Sequence, residues 1–216
     1  MLFPRHAAMA AALAAAPLSV LLSSAAQAAV MDFNAIAINP ANPIHGPIGK
    51  PYLEDGFQLS TRGCVSFTCS GGSIYALTPS HALWSGTPSV YSDVGDPRYG
   101  SAFRFEKVDG GLFDLVSVDA AAMANAPNAR AFNIFGYGDN GKAVSTSFTL
   151  DTSLTTLETL TLGTAFTGLR YVLMSAMYAQ VDNINTTYAG EVPEPGAMGL
   201  ALAGLGGMAL MRRRRG

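Results

Sequence analysis

Short runs of alternating hydrophobic and polar residues occupy the middle of the chain, and glycine, proline, asparagine, aspartate and serine interrupt them. This alternation has the period of a half-buried β-strand rather than that of an amphipathic helix. It predicts strands over residues 30–37, 58–61, 73–77, 89–91, 102–107, 113–118, 131–137, 143–150 and 171–178. Two intervening segments, Asp109-Gly110-Gly111 and Asp139-Asn140-Gly141, supply residues that tolerate the positive φ of tight turns.

Residues 152–163 have an ambiguous pattern, because Leu154, Leu157 and Leu160 have helical spacing whereas Leu160 and Leu162 alternate. The many threonines of this segment favour a strand or irregular structure. Short strands without a long amphipathic helix predict an all-β fold. We expect an antiparallel β-sandwich of the jelly-roll type.

The two ends of the chain break this pattern. Arg5 and His6 precede an alanine- and leucine-rich run over residues 7–22, and Ala26-Gln27-Ala28 has the small-x-small pattern of a signal peptidase site. The predicted domains are therefore a signal peptide (residues 1–28), the β-sandwich body (residues 29–190) and a C-terminal segment (residues 191–216).

The C-terminal segment has three parts: a Pro-Glu-Pro motif, an uncharged stretch and a basic tail. They are Pro193, Glu194 and Pro195; residues 196–211; and Arg212, Arg213, Arg214 and Arg215. The uncharged stretch predicts a transmembrane helix of about 24 Å, slightly shorter than a typical hydrocarbon core. The arginines would stay on the cytoplasmic side, which places the body on the far side of the inner membrane.

This three-part segment resembles the sorting signal of the PEP-CTERM family of bacterial envelope proteins. The resemblance implies that an exosortase, a membrane-embedded cysteine peptidase, recognises the Pro-Glu-Pro motif and releases or transfers the body. Family members typically occur in Gram-negative bacteria that make exopolysaccharide. We therefore expect transient anchoring in the inner membrane, followed by delivery to the envelope, outer surface or extracellular matrix. The alternative is an ordinary C-terminal anchor.

The charge distribution excludes one class of partner. The formal net charge of the whole chain is −2, but Arg5 and the four terminal arginines are predicted to leave with the two ends. The remaining body is more acidic than the whole chain. This acidity argues against nucleic acid or anionic lipid as its partner.

The two cysteines, Cys64 and Cys69, lie in a segment rich in glycine and serine. In an exported protein they predict a local disulfide that fixes a turn. A metal-binding pair is the competing interpretation, but the sequence lacks a second cysteine pair or matching histidines for a zinc site.

Oxygen-bearing side chains near the two ends of the body suggest a structural calcium site. Asp32-Phe33-Asn34 and Val181-Asp182-Asn183-Ile184 resemble segments that lie side by side in jelly-roll domains similar to carbohydrate-binding modules and discoidin-like domains. If the terminal strands pair, Asp32, Asn34 and Asp182 would supply the mixed carboxylate and amide ligands that calcium accepts. The alternative is that these side chains bond to the backbone at turns.

Trp84 and Tyr91 are the predicted glycan contacts, because sugars stack on exposed aromatic rings and their hydroxyls need polar partners nearby. The alternative is that both rings fill the core. The sequence contains no recognisable catalytic motif. We therefore expect a non-enzymatic envelope or matrix protein associated with exopolysaccharide or adhesion. The alternative is a carbohydrate-active enzyme or a carbohydrate-binding module on the same scaffold.

Overall fold

A computed structural model describes residues 26–48, 51–62, 72–92, 102–124, 131–139, 141, 143–175 and 178–189. These residues form thirteen β-strands and include no helix. The strands are β1 (Ala26–Met31), β2 (Ile44–His45), β3 (Tyr52–Glu54), β4 (Phe57–Arg62), β5 (Ile74–Leu77), β6 (Val90–Ser92), β7 (Ala102–Lys107), β8 (Asp114–Ala122), β9 (Ala131–Gly138), β10 (Ala143–Thr149), β11 (Glu158–Thr161), β12 (Leu169–Ser175) and β13 (Ala179–Ala189).

The strands form two antiparallel sheets. The six-stranded sheet has the order β10-β9-β12-β7-β4-β3. The seven-stranded sheet has the order β11-β8-β13-β6-β5-β2, and β1 also pairs with β13. The all-β class that the sequence predicts is confirmed, and the two antiparallel sheets are consistent with a β-sandwich.

Buried hydrophobic side chains from both sheets form one core. In β7, for example, Phe103 and Phe105 are fully buried, while the intervening Arg104 is only partly buried. The rings of Phe57 and Phe105 stack with centroids 4.9 Å apart. Phe113 lies edge-on to both of these rings at 5.4 Å. The period-two pattern thus directs alternate side chains into the core and outward.

Several local predictions are confirmed. β7 has the bounds predicted for residues 102–107, and β9 and β10 lie within one residue of their predicted bounds. Gly110 and Gly141 have φ of 71° and 66°, as the predicted turns require. Within residues 152–163, residues 158–161 form β11 and the residues before them are irregular, which agrees with the preference for strand or irregular structure.

The predictions for the first and last strands are wrong in part. β1 ends at Met31 because Phe33 adopts a φ of 57° and its N–H donates to Oε2 of Glu54 at 3.0 Å. The predicted strand over residues 171–178 is shorter, since β12 ends at Ser175 and Tyr178 has a φ of 59°. Residues 181–184 were expected to close the last strand, but the predicted strands did not include β13 as a separate element, although it pairs with three others.

Candidate functional site

The outer face of the six-stranded sheet carries a row of aromatic and polar side chains. The register of the strands places Tyr137 of β9 opposite Tyr171 of β12, and Tyr171 opposite Glu106 of β7. Glu106 in turn lies opposite Gln58 of β4. Each of these residues has at least one buried neighbour in its strand, so the row lies on the surface away from the core. These buried neighbours are Gly136, Val172, Phe105, Phe57 and Leu59. We call this surface the open face.

The aromatic part of the open face is a stack across three strands. The rings of Tyr137 and Tyr171 are 4.7 Å apart and inclined by 16°, and Arg104 Cζ lies 4.1 Å from the centroid of the Tyr171 ring. Because β9 and β7 flank β12 on opposite sides, Tyr171 lies between the Tyr137 ring and the Arg104 guanidinium. Such offset stacking and cation–π contact hold these groups in place before any ligand arrives.

The polar part continues the row. Arg104 Nε donates to Glu106 Oε1 at 2.9 Å, and its Nη2 donates to Oε2 at 2.6 Å. Gln58 Nε2 also donates to Glu106 Oε1, at 2.9 Å. The hydrogen bonds from Arg104 lower the pKa of Glu106, and the same contact raises the pKa of Arg104. Both groups are therefore held in their charged forms.

A second row adds apolar surface. Phe135 of β9 lies opposite Leu173 of β12, and Leu173 lies opposite Arg104. Leu173 is only 6% exposed, whereas Phe135 is 44% exposed. The open face thus combines an accessible ring with phenol, guanidinium and amide groups. Such a surface suits a ligand that has apolar patches and many hydroxyls.

None of these residues was predicted from the sequence to belong to a site. Phe135 and Tyr137 lie two positions apart in a predicted strand, and this spacing was a signal that both rings share one face. The partners Tyr171, Arg104 and Gln58 come from distant segments. Only the pairing of the strands identifies them.

The predicted glycan contacts lie on the other sheet. Tyr91 is in β6 and its ring stacks on Tyr75 of β5, with centroids 5.6 Å apart. Trp84 is partly buried in the segment that joins β5 to β6. Neither residue belongs to the open face, and their contact with glycan stays a prediction.

The outer side of the seven-stranded sheet is covered near the start of β13. Gln180 is fully buried there. Its Nε2 donates to the carbonyl oxygens of Leu83 at 3.1 Å and Leu154 at 2.8 Å, and its Oε1 accepts from Ser89 Oγ at 2.6 Å. These bonds fix residues 78–89 and the segment around Leu154 on the sheet. We call this region the covered face.

Of the predicted calcium ligands, Asp182 lies beside the covered face, where it contacts Thr87. The terminal strands β1 and β13 do pair, as the calcium hypothesis required. However, Asp32 accepts hydrogen bonds from the backbone and side-chain nitrogens of Asn34, at 2.9 and 2.8 Å. Asp182 accepts from Thr87 Oγ1 at 2.7 Å and from the Asn183 N–H at 2.8 Å. These bonds fit the alternative in which the side chains support turns.

Asp182 is nonetheless an unusual carboxyl group, since it is only 1% exposed. Burial raises its pKa to about 6, and the charges of Asp119 and Asp32 act in the same direction. Within the described ranges, no group of three or more His, Cys, Asp or Glu residues is arranged to hold a metal ion. Calcium binding by Asp32, Asn34 and Asp182 stays a prediction.

The remaining predicted sites fall outside the described residues. They are the disulfide between Cys64 and Cys69, the motif Pro193, Glu194 and Pro195, and the tail Arg212, Arg213, Arg214 and Arg215. A shallow cleft among the described residues is lined by Gln27, Lys107 and Tyr188, together with the turn that contains Asp55. In the part of the chain that the structure describes, no helix has the length and hydrophobicity needed to span a membrane.

Comparison with known proteins identifies the end of the chain. Residues 191–215 match the model of the PEP-CTERM protein-sorting motif. None of the curated proteins matches the chain. Among solved structures, a DUF4465 family protein from Bacteroides caccae is similar at 12% sequence identity and a TM-score of 0.47. The similarity covers 76% of this chain and all of the other.

Proposed function

Because its tail is the sorting motif of an exported protein that an exosortase processes at the membrane, we propose that the body is a polysaccharide-binding module. In this proposal the body is a jelly-roll-like sandwich of a Gram-negative cell. It is delivered to the envelope or extracellular matrix, where its open face adheres to exopolysaccharide. The open face is the observation that carries the proposal.

Two properties of the open face favour a polysaccharide. The exposed ring of Phe135 and the outer side of Tyr137 offer surface for the apolar faces of sugar rings. The phenol groups and Gln58 offer both donors and acceptors to sugar hydroxyls. Because the Tyr137–Tyr171–Arg104 stack already holds these side chains, binding costs less side-chain entropy than at a surface of free rotamers.

The chemistry of Glu106 supports binding rather than catalysis. Both carboxylate oxygens accept hydrogen bonds from Arg104, and Oε1 also accepts one from Gln58. With its pKa lowered, this group is a poor general acid. The competing function, a carbohydrate-active enzyme, predicts turnover of labelled polysaccharide that a single carboxylate substitution such as Glu106→Gln abolishes.

The direct test compares substitutions on the two sheets. We expect Phe135→Ala and Tyr137→Ala to weaken retention in polysaccharide-containing gels roughly 3–10-fold each, because a ring contact contributes about 0.5–1.5 kcal/mol. Trp84→Ala and Tyr91→Ala, on the other sheet, serve as matched controls and should leave retention unchanged. If only the controls lose retention, the predicted Trp84 and Tyr91 site is the correct one.

The same variants test a second occupant of the open face. If two copies of the chain pack through it, the processed protein should be dimeric in sedimentation experiments and Tyr137→Ala should be monomeric. A concentration-independent monomer that binds polysaccharide supports the proposal. A dimer that does not bind contradicts it.

Sorting is tested independently of binding. Mass spectrometry of the secreted protein should find the body without residues 196–216 in cells that contain the exosortase. In cells that lack the exosortase, we expect the protein to keep its arginine tail and to stay in the membrane fraction. Unchanged size and secretion in those cells would contradict this part of the proposal.

A further inference from the structure

The charged groups of the open face limit the kind of polysaccharide that it accepts. Among the side chains that the structure describes in the row of Tyr137, Tyr171 and Gln58, Arg104 and Glu106 are the charged ones, and they are bonded to each other. Their charges therefore cancel where a ligand would bind.

The pairing also occupies one of the two donor forks through which Arg104 could bind an anion. An arginine binds carboxylate or sulfate best through two parallel N–H donors. In this protein Nε and Nη2, which form such a fork, both donate to Glu106, while the guanidinium lies over the ring of Tyr171. A uronic acid or sulfate group would have to displace Glu106 to reach the same donors.

Because the Arg104–Glu106 pair is neutral as a whole, it gives an acidic polymer no net attraction, and a carboxylate that approaches the Glu106 side of the pair is repelled. Gln58 and the Tyr137–Tyr171 stack beside it are neutral and can meet hydroxyl groups without desolvating an ion. The acidity of the remaining body adds a weaker repulsion at longer range.

We propose that the open face is selective for uncharged polysaccharides, and that Glu106 determines this selectivity by occupying one of the two donor forks of Arg104. This inference rests on the proposed function, since it names the ligand class of the same site. It makes Glu106 a specificity-determining residue that excludes acidic polymers.

Affinity electrophoresis of the processed protein tests the inference with four gel-embedded polymers. Hydroxyethylcellulose and glucomannan are neutral, whereas polygalacturonate and alginate are acidic. We expect a neutral polymer to retain the wild-type protein and the acidic polymers to retain it at least about tenfold less strongly. Glu106→Gln should gain about tenfold in retention by an acidic polymer, because it releases the charge-assisted donors of Arg104.

Two further variants test whether the retention gained by Glu106→Gln depends on its position beside Arg104. Asp55→Asn removes the same charge at a turn away from the open face, where a φ of 47° suits asparagine, and should behave like the wild type. Adding Arg104→Gln to Glu106→Gln should abolish the gained retention. The gain should also weaken with added salt, since it depends on an ionic contact.

The outcomes distinguish this inference from the proposed function. If acidic polymers retain the wild-type protein as strongly as neutral ones, or if Glu106→Gln gains nothing, the selectivity inference is overturned while polysaccharide binding stands. If none of the polymers retains the wild-type protein, both proposals are contradicted.

Discussion

The covered face of the seven-stranded sheet and the open face of the six-stranded sheet use polar side chains in different ways. On the covered face, Gln180 is buried and bonds to two chain segments that lie over the sheet. On the open face, Arg104 and Glu106 bond to each other within one strand and remain partly exposed. One set of polar groups therefore holds loops in place, while the other leaves its surface accessible.

This difference separates stability from binding in the molecule. A buried amide that loses its partners leaves donors and acceptors without hydrogen bonds, which is costly. A partly exposed side chain can exchange a lost partner for water. Substitutions on the covered face should therefore mainly change the free energy of unfolding, and those on the open face should mainly change ligand binding.

The largest effect is expected for Gln180→Ala. The substitution removes three hydrogen bonds and leaves Ser89 and the carbonyl groups of Leu83 and Leu154 without this partner. We expect a loss of about 3–5 kcal/mol in the free energy of unfolding, measured by urea denaturation.

Gln58→Ala is the matched control on the open face, because Gln58 is partly exposed and donates one hydrogen bond there, to Glu106. Gln58→Ala should lower the free energy of unfolding by less than about 1 kcal/mol. If both glutamine variants lose the same free energy of unfolding, the covered face is no more important for stability than the open face.

The next effect concerns Asp182 and pH. Burial raises the pKa of Asp182 in the folded protein to about 6, above its ordinary value of 3.8. Because a raised folded pKa disfavours the ionised form, the contribution of this group to stability is complete below about pH 4 and is lost as pH rises through about 6. Asp182→Asn should remove this dependence and stabilise the protein at pH 7.5 by up to about 3 kcal/mol.

Thermal unfolding at pH 4, 6 and 7.5 checks this expectation. If Asp182→Asn is less stable than the wild type at every pH, ionisation of the buried Asp182 does not destabilise the protein. The same experiment sharpens the calcium hypothesis. Calcium that raises the Tm of the wild type, but not that of Asp182→Asn, would establish a site at this carboxylate.

A smaller effect is expected for Tyr171→Ala. The substitution removes a ring that contacts both Tyr137 and Arg104. Stacking and cation–π contacts at a partly exposed position predict a loss of about 1–2 kcal/mol in the free energy of unfolding. Polysaccharide retention should fall as well, because Tyr137 and Arg104 lose their support. A loss of stability as large as that of Gln180→Ala would show that the open face is also structural.

Much of the fold follows from local sequence. Alternation identified β7 and β9 because each has buried residues at every second position. β13 was not separated from the strand before it, because the polar Gln180, Asp182 and Asn183 interrupt the alternation that marks a strand. The hydrogen-bond partners of its polar side chains lie far away in the chain. Asp182 bonds to Thr87, and Gln180 bonds to Leu154. A pattern within one segment does not contain that information.

The candidate site was harder to predict for a related reason. Tyr137, Tyr171 and Arg104 become neighbours only through the registers of β9 with β12 and of β12 with β7. Trp84 and Tyr91 were predicted as glycan contacts because they are aromatic residues in a polar stretch of the sequence. The sorting motif, by contrast, is a continuous segment, so residues 191–215 identify it from the sequence alone.

An NMR titration of the processed protein with a soluble neutral oligosaccharide tests whether the ligand binds at the open face. We expect chemical-shift changes at the amides of Phe135, Tyr137 and Tyr171, with none at Gln180 or Val181. Changes confined to the covered face, or the segment that contains Trp84, would contradict the assignment of binding to the open face.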